Sequence, residues 1–335
     1  MLTQQFDYHL PRELIAQRPA SPRDQSRLLV FNRRTRSTHH DRFRSLSQYL
    51  RPGDVLVFND TKVFPARLHG TKATGGTVEV FLLRSVRGRM WEVLIGGSVR
   101  QPGSSITFKH GLRCTVSQGA PAVVRRVVFN RTPAQVLAYA ERYGATPTPP
   151  YIKEPATRSA YQTVYAQKSG SVAAPTAGFH FTKRLLAELR RGGVQCEYVT
   201  LHVGLGTFQP VTERDIRQHR MHAEYAQVPA AVAARLRQAK RDGRRVIAVG
   251  TTSVRVLETV GLRRGGYRGW INQFIYPGYR FKIVDGMVTN FHLPESTLLM
   301  LVAAFIGRKE ILRLYNAAVR RRYRFYSFGD GMMIE

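Results

Sequence analysis

The chain has 335 residues, 43% of them hydrophobic and 10% aromatic, which is enough for a large core and two domains and excludes a disordered chain. Its 52 basic residues against 22 acidic ones give a net charge of +30, which points first to a nucleic-acid partner; the cations are mostly scattered arginines, so composition bias supplies part of that figure. Two cysteines, Cys114 and Cys196, exclude a disulfide scaffold and a four-thiolate zinc site. The longest apolar run, LLMLVAAFI at 298–306, falls short of the ~20 residues of a membrane helix, and the first residues lack a signal-peptide core. A reduced, cytoplasmic protein with no membrane partner is the expectation.

After an N-terminal arm, RLLVFN (27–32) and DVLVFND (54–60) read as short buried strands. From about residue 66 the texture changes: TVEVFLLRS, MWEVLIGG, SSITF, LRCTV and AVVRRVVF are short alternating segments separated by glycine-rich turns, the pattern of a small antiparallel barrel or sandwich. TPAQVLAYAERYG closes that segment as a helix, with Thr132 as cap, Pro133 at the first helical position and Gly144 as stop. From TPTPPYI (146–152) onward helices and strands alternate. TKRLLAELRRGG, PAAVAARLRQAKRDG, STLLMLVAAFIG and KEILRLYNAAVRRRY read as helices; VQCEYVTLHVG, RRVIAVG and RFYSFGDGMMI read as strands. The expected fold is α/β: a layered α/β domain built from both chain ends, residues 1–65 and 146–335, with a small antiparallel β-barrel inserted at 66–145.

Ligands of α/β sheets collect beyond the carboxyl ends of strands, and several unusual segments fall there. GSVAAPTAGFHFT (170–182) has almost no packing volume and ends on His180, as expected of backbone brought close to a partner. In VIAVGTTSVRVLE (246–258) a strand leads to Thr251, Thr252 and Ser253 at a helix start, with Arg255 one turn in; this combination suits an anion, although a well-capped helix without a ligand would read the same way. TLHVGLGTF (200–208) carries His202 but lacks the third glycine of a dinucleotide fingerprint, and Pro210 interrupts any immediate helix. HRMHAE (219–224) offers His219, His222 and Glu224 without metal spacing, so acid–base work or a polar core place is expected there. FIYPGYRF (274–281) sets Tyr276 and Tyr279 about a Pro-Gly turn, where rings stack on a base or plug a core edge. TNFHLPEST (289–297) presents Asn290 and His292 on a loop, and FGDGM (328–332) is expected to leave Asp330 exposed between glycines.

In this order AAPTAGFHFT, HVGLGTFQPV, HRMHAE, GTTSVRVLE, YPGY, TNFHLPESTLLMLV and YSFGDGMMI resemble the S-adenosylmethionine:tRNA ribosyltransferase-isomerase family of queuosine biosynthesis, from FDYHLP (6–11) to the C-terminus. Thr148, Phe179, Leu205 and Gly331 depart from the family pattern without removing a polar group. The resemblance implies an α/β domain with an inserted barrel and a transferase. That enzyme joins the ribosyl part of S-adenosylmethionine to a 7-aminomethyl-7-deazaguanine at the tRNA wobble position, releasing adenine and methionine and giving epoxyqueuosine. S-adenosylmethionine is then a co-substrate, no metal or prosthetic group is implied, and the partner is tRNA through its anticodon stem-loop; a monomer is expected. An S-adenosylmethionine-dependent RNA methyltransferase and a non-catalytic RNA-binding protein are the alternatives.

The chemistry is proton management and alignment, for which histidines and carboxylates suffice. The expected acid–base pool is His180, His202, His222 and Glu224. Thr251, Thr252, Ser253 and Arg255 are expected to hold the methionine carboxylate, Tyr276 and Tyr279 to stack a base, Asn290 and His292 to bind substrate, and Asp330 to accept hydrogen bonds from the deazaguanine. GSVAAPTAG is expected to be a thin wall against the nucleoside, with aromatic packing on both sides of His180.

Overall fold

The computed structural model describes residues 1–96, 101–117, 124–149, 151–153, 157–204 and 211–335; Pro150, Leu205 and Pro210 lie outside them. In chain order the strands and helices begin with β1 (Arg27–Phe31), β2 (Thr38–Arg42), β3 (Val55–Asn59) and β4 (Thr61–Val63). Next come β5 (Arg67–Lys72), β6 (Thr77–Arg87), β7 (Met90–Ile95), β8 (Ser105–Thr107), β9 (Arg113–Val116), β10 (Arg125–Phe129) and helix α1 (Pro133–Tyr143). β11 (Lys168–Ser171), α2 (Lys183–Arg191), β12 (Gln195–His202), β13 (Glu224–Val228), α3 (Ala230–Arg241), β14 (Val246–Val249) and α4 (Thr251–Val260) follow. The chain finishes with β15 (Tyr267–Ile271), β16 (Gly286–Asn290), α5 (Thr297–Ile306), α6 (Arg308–Arg320) and β17 (Gly331–Ile334).

One nine-stranded sheet has the order β15-β13-β12-β3-β14-β16-β17-β1-β2. Its centre, β12-β3-β14-β16, is parallel; β13 and β15 extend one side antiparallel, and β17 pairs antiparallel with β16. Strand alternation divides neighbouring residues between two cores. Val55, Val57, Val246 and Ala248 pack with Val232, Leu236, Val254, Leu299 and Ile311 from helices α3 to α6 on one face. Leu56, Phe58, Ile247 and Val249 pack with Leu185, Leu186 and Leu189 of α2 on the other. The result is a layered α/β body, as the alternation in the sequence implies.

The short alternating segments form a closed antiparallel barrel, in the order β10-β7-β6-β5-β8-β9. Val80, Leu82, Trp91, Val93, Ile106 and Val127 fill it, and α1 packs Val136, Tyr139 and Ala140 onto the same core. Helix ends follow local chemistry: Thr132, Thr182 and Ser296 accept from the backbone N–H three residues on. The last expected strand is shorter than its text, because only Gly331–Ile334 pairs. β2, β4, β5, β11, β13, β15 and β16 have no counterpart among the strands expected from the sequence.

Candidate active site

The parallel strands carry their carboxyl ends to one edge of the sheet. β3 runs into Asp60 and Thr61, β12 ends on His202, β14 leads through Gly250 to α4, and β16 ends on Asn290 just before His292. β11, parallel to β4, lays Lys168 to Ser171 across the same edge. Against it stands the barrel, and between them lies a cavity of about 390 Å³. Phe64, Leu83, Trp91 and Leu137 line its barrel side; Gly170, His202, Gly204, His222, Glu224 and Trp270 line its α/β side.

His202 is the most constrained of these groups. Its Nδ1 lies 2.8 Å from Thr61 Oγ1, whose hydroxyl points to the Lys168 carbonyl at 3.5 Å. A hydroxyl donating to that carbonyl accepts from Nδ1–H, which leaves Nε2 as the basic nitrogen. Nε2 faces Gly170: a Cβ there would stand 2.7 Å from it, and the φ of +151° is one that other residues rarely adopt. Glycine at this position therefore leaves room for the ring edge that carries the basic nitrogen. Burial lowers the His202 pKa; Asp60 opposes that shift and Lys168 adds to it. Asp60 is itself buried, accepting from Thr200 Oγ1 at 2.7 Å and lying 3.6 Å from Lys168 Nζ.

Glu224, at the start of β13, accepts from Gly204 N–H at 2.9 Å and forms a buried ion pair with Arg255 Nη1. Arg255 Nε donates to the Gln273 carbonyl, while its Nη2 and the Thr252 hydroxyl are buried without a partner among the described residues. These open donors, with the first N–H groups of α4, leave capacity for an anion. Thr251 is buried beside them, whereas Ser253 Oγ is turned back onto the Val249 carbonyl at 2.8 Å. His222 is exposed at the cavity.

The remaining expected residues sit elsewhere. His180 is buried with Nε2 accepting from Asn290 Nδ2 at 3.2 Å and Nδ1 2.8 Å from Ser26 Oγ. Burial first, then Arg324 and Arg23, pushes its pKa down to about 3. The ring stacks on Phe43 at 4.7 Å, not between its chain neighbours; Phe181 lies in the α2-side core and Phe179 against Tyr161 and Phe328. Asn290 and His292 border a separate cavity of about 40 Å³ with Ala173, Ala174 and Thr176. His292 is pushed down to about 3 by burial, and its Nε2 bonds Thr289 Oγ1.

Three expectations need correction. Asp330 is 1% exposed, not open between its glycines; its oxygens accept from the Arg27 and Arg324 backbone N–H groups at 2.9 and 2.8 Å and tie the chain ends together. Tyr276 and Tyr279 pack on the helix-side core, with Tyr279 Oη 3.2 Å from Glu258, and neither lines the cavity. Small residues in GSVAAPTAG make room for protein as much as for a ligand, since a Cβ on Gly178 would meet Tyr165 Oη at 1.9 Å.

Sequence reading missed Asp60, Thr61 and Lys168, which carry no motif of their own and meet His202 only through strand pairing. It also missed Trp270 at the cavity and Arg84, whose guanidinium lies over the indole at 4.6 Å. No group of three or more His, Cys, Asp or Glu among the described residues is placed to hold a metal ion, and no described helix is long and apolar enough to cross a membrane.

A layered α/β body whose strand ends meet an inserted-barrel face across a largely apolar cavity with a few polar groups defines a class of two-part enzymes that work in the cleft. Residues 3–334 match the family model described as queuosine biosynthesis protein, and the chain belongs to that family. It is 53% identical to the S-adenosylmethionine:tRNA ribosyltransferase-isomerase of Moorella thermoacetica and 49% identical to that of Carboxydothermus hydrogenoformans, covering 100% of both chains in each case. A crystal structure of S-adenosylmethionine tRNA ribosyltransferase from Thermotoga maritima matches with a TM-score of 0.58 and 36% identity, over 99% of this chain and 100% of that one.

Proposed function

We propose that this chain is an S-adenosylmethionine:tRNA ribosyltransferase-isomerase. It transfers and isomerises the ribosyl moiety of S-adenosylmethionine onto 7-aminomethyl-7-deazaguanine at the wobble position of tRNA, giving epoxyqueuosine with release of adenine and methionine. The observation that carries the site assignment is that His202 and Glu224, the latter held in a buried ion pair with Arg255, line one cavity. A sulfonium acidifies the C5′ hydrogens of its ribose, so a neutral imidazole with a lowered pKa is a competent base. Adenine then leaves as the ring opens, the neutral aminomethyl group attacks, and an epoxide forms as methionine departs. His202 takes the C5′ proton and His222 serves at the rim, while Glu224 with Gly204 N–H fixes the wall. Thr252 and Arg255 Nη2 receive the methionine carboxylate at the start of α4.

On this reading residues 66–145 form an inserted barrel domain and residues 1–65 with 146–335 the catalytic domain. The partner is a cytoplasmic tRNA, met through its anticodon stem-loop by a monomer. His180, Asn290, His292 and Asp330 keep the sheet edge in shape. Incubation with S-adenosylmethionine and wobble-modified tRNA tests the assignment: free adenine and a new nucleoside are expected, whereas S-adenosylhomocysteine would indicate methyl transfer and unchanged reactants a binding protein.

A further inference from the structure

His202, Tyr225 and Trp270 stand directly opposite one another across β12, β13 and β15. The His202 and Tyr225 rings stack with centroids 5.8 Å apart and 16° between planes; Tyr225 meets Trp270 edge-on at 5.8 Å. This ladder leads from the basic nitrogen in the cavity to an indole that is 49% exposed at its mouth. Arg84, from barrel strand β6, covers part of the indole while bonding Glu92 at 2.6 Å, and Arg126 lies 3.7 Å from the same carboxylate. An exposed flat ring with an arginine over it, and a second arginine sharing that arginine's carboxylate, on a chain with a net charge of +30, is a combination that suits an unpaired base of RNA.

We propose that Trp270, backed by Tyr225 and Arg84, is the platform on which an unpaired base of the substrate RNA stacks, next to the base being modified. The proposal rests on the RNA-directed reading above. It assigns the chain's RNA-stacking surface to the edge strand β15, which is joined to the barrel through Arg84, and gives the barrel a part in gripping the anticodon loop.

The chain has two tryptophans, and the other, Trp91, is buried in the barrel, so the difference between wild-type and Trp270→Phe emission isolates Trp270. The probe is an unmodified anticodon stem-loop RNA, titrated with and without S-adenosylmethionine. RNA is expected to quench the Trp270 emission in the absence of S-adenosylmethionine as well as in its presence. Trp270→Ala is expected to weaken RNA binding by about 5-fold or more while thermal stability holds, and Trp270→Phe to restore most of the loss. Equal RNA affinity in wild type and Trp270→Ala, or a Trp270 emission that RNA does not change, would overturn the platform. Adenine release by the wild type, measured in parallel, reports on the enzymatic reading separately.

Discussion

Gly170 and His202 face each other so closely that a single added methyl group on the glycine would stand 2.7 Å from Nε2. The absence of a side chain on Gly170 therefore leaves room for the ring edge that carries the basic nitrogen. Gly170→Ala is expected to push the imidazole away from Thr61 and out of line with the C5′ hydrogen. Since misplacement by ~1 Å costs on the order of 100-fold in rate, the variant should lose about that much in kcat while S-adenosylmethionine still binds. His202→Gln should lose at least as much. Adenine release under single-turnover conditions checks both, and near-normal rates in either would remove His202 from the mechanism.

Asp60 and Lys168 act on the same imidazole with opposite sign, which separates an electrostatic role from a structural one. Asp60 raises the His202 pKa and Lys168 lowers it, against the larger effect of burial. A base works in its deprotonated form, so the acid limb of kcat/KM follows this pKa. Asp60→Asn should move that limb to lower pH and Lys168→Gln should move it to higher pH. A merely structural defect would lower the plateau of both profiles without moving either limb in opposite directions.

The ion pair between Glu224 and Arg255 joins β13 to α4 with both side chains nearly inaccessible. Removing one partner leaves a buried charge uncompensated, which typically costs ~3–5 kcal/mol. Arg255→Met and Glu224→Gln should each lower unfolding free energy in urea by an amount of that order. The double variant should be less destabilised than the two single effects added together, because neither charge is then left alone. Additive losses would mean that the two groups are stabilised by other neighbours.

Much of this architecture is legible in the chain because it is locally encoded. LLVF, VLVF and VIAV are apolar without interruption because both faces of their strands are covered, and Thr132, Thr182 and Ser296 announce their helices by capping chemistry. What stays hidden depends on pairing between distant segments. YRGWI has no strand pattern that stands out in the sequence, and becomes a strand by lying beside β13. Asp330 reads as exposed because glycines flank it, yet those glycines mark close packing. A Cβ on Gly329 would meet the Arg324 carbonyl at 2.5 Å, and one on Gly331 would meet the Phe43 ring at 2.9 Å. Tyr276 and Tyr279 lie away from the cavity for a related reason: a Pro-Gly turn fixes where the rings start, while Glu258, accepting from the N–H groups of Lys282, Ile283 and Val284, fixes which way the loop folds.

The two buried histidines near the sheet edge make a pH-dependent contribution whose sign is set by their surroundings. His180 and His292 are both held far below the usual 6.5, at about 3, chiefly by burial. The unfolded chain therefore binds protons at these sites below pH ~6.5 that the folded chain does not, and stability falls as the pH drops from there towards 3. Each histidine contributes a slope of at most ~1.4 kcal/mol per pH unit across that window, and nothing above it. Urea unfolding between pH 7.5 and pH 4.5, pH values chosen to bracket the upper part of the window, should give a falling free energy in the wild type. A His180→Gln, His292→Gln double variant, less stable at neutral pH through its altered hydrogen bonds, should show a shallower fall. An unchanged slope would mean that both imidazoles take up protons in the folded protein, and that the Ser26–His180–Asn290 chain is not the neutral array described above.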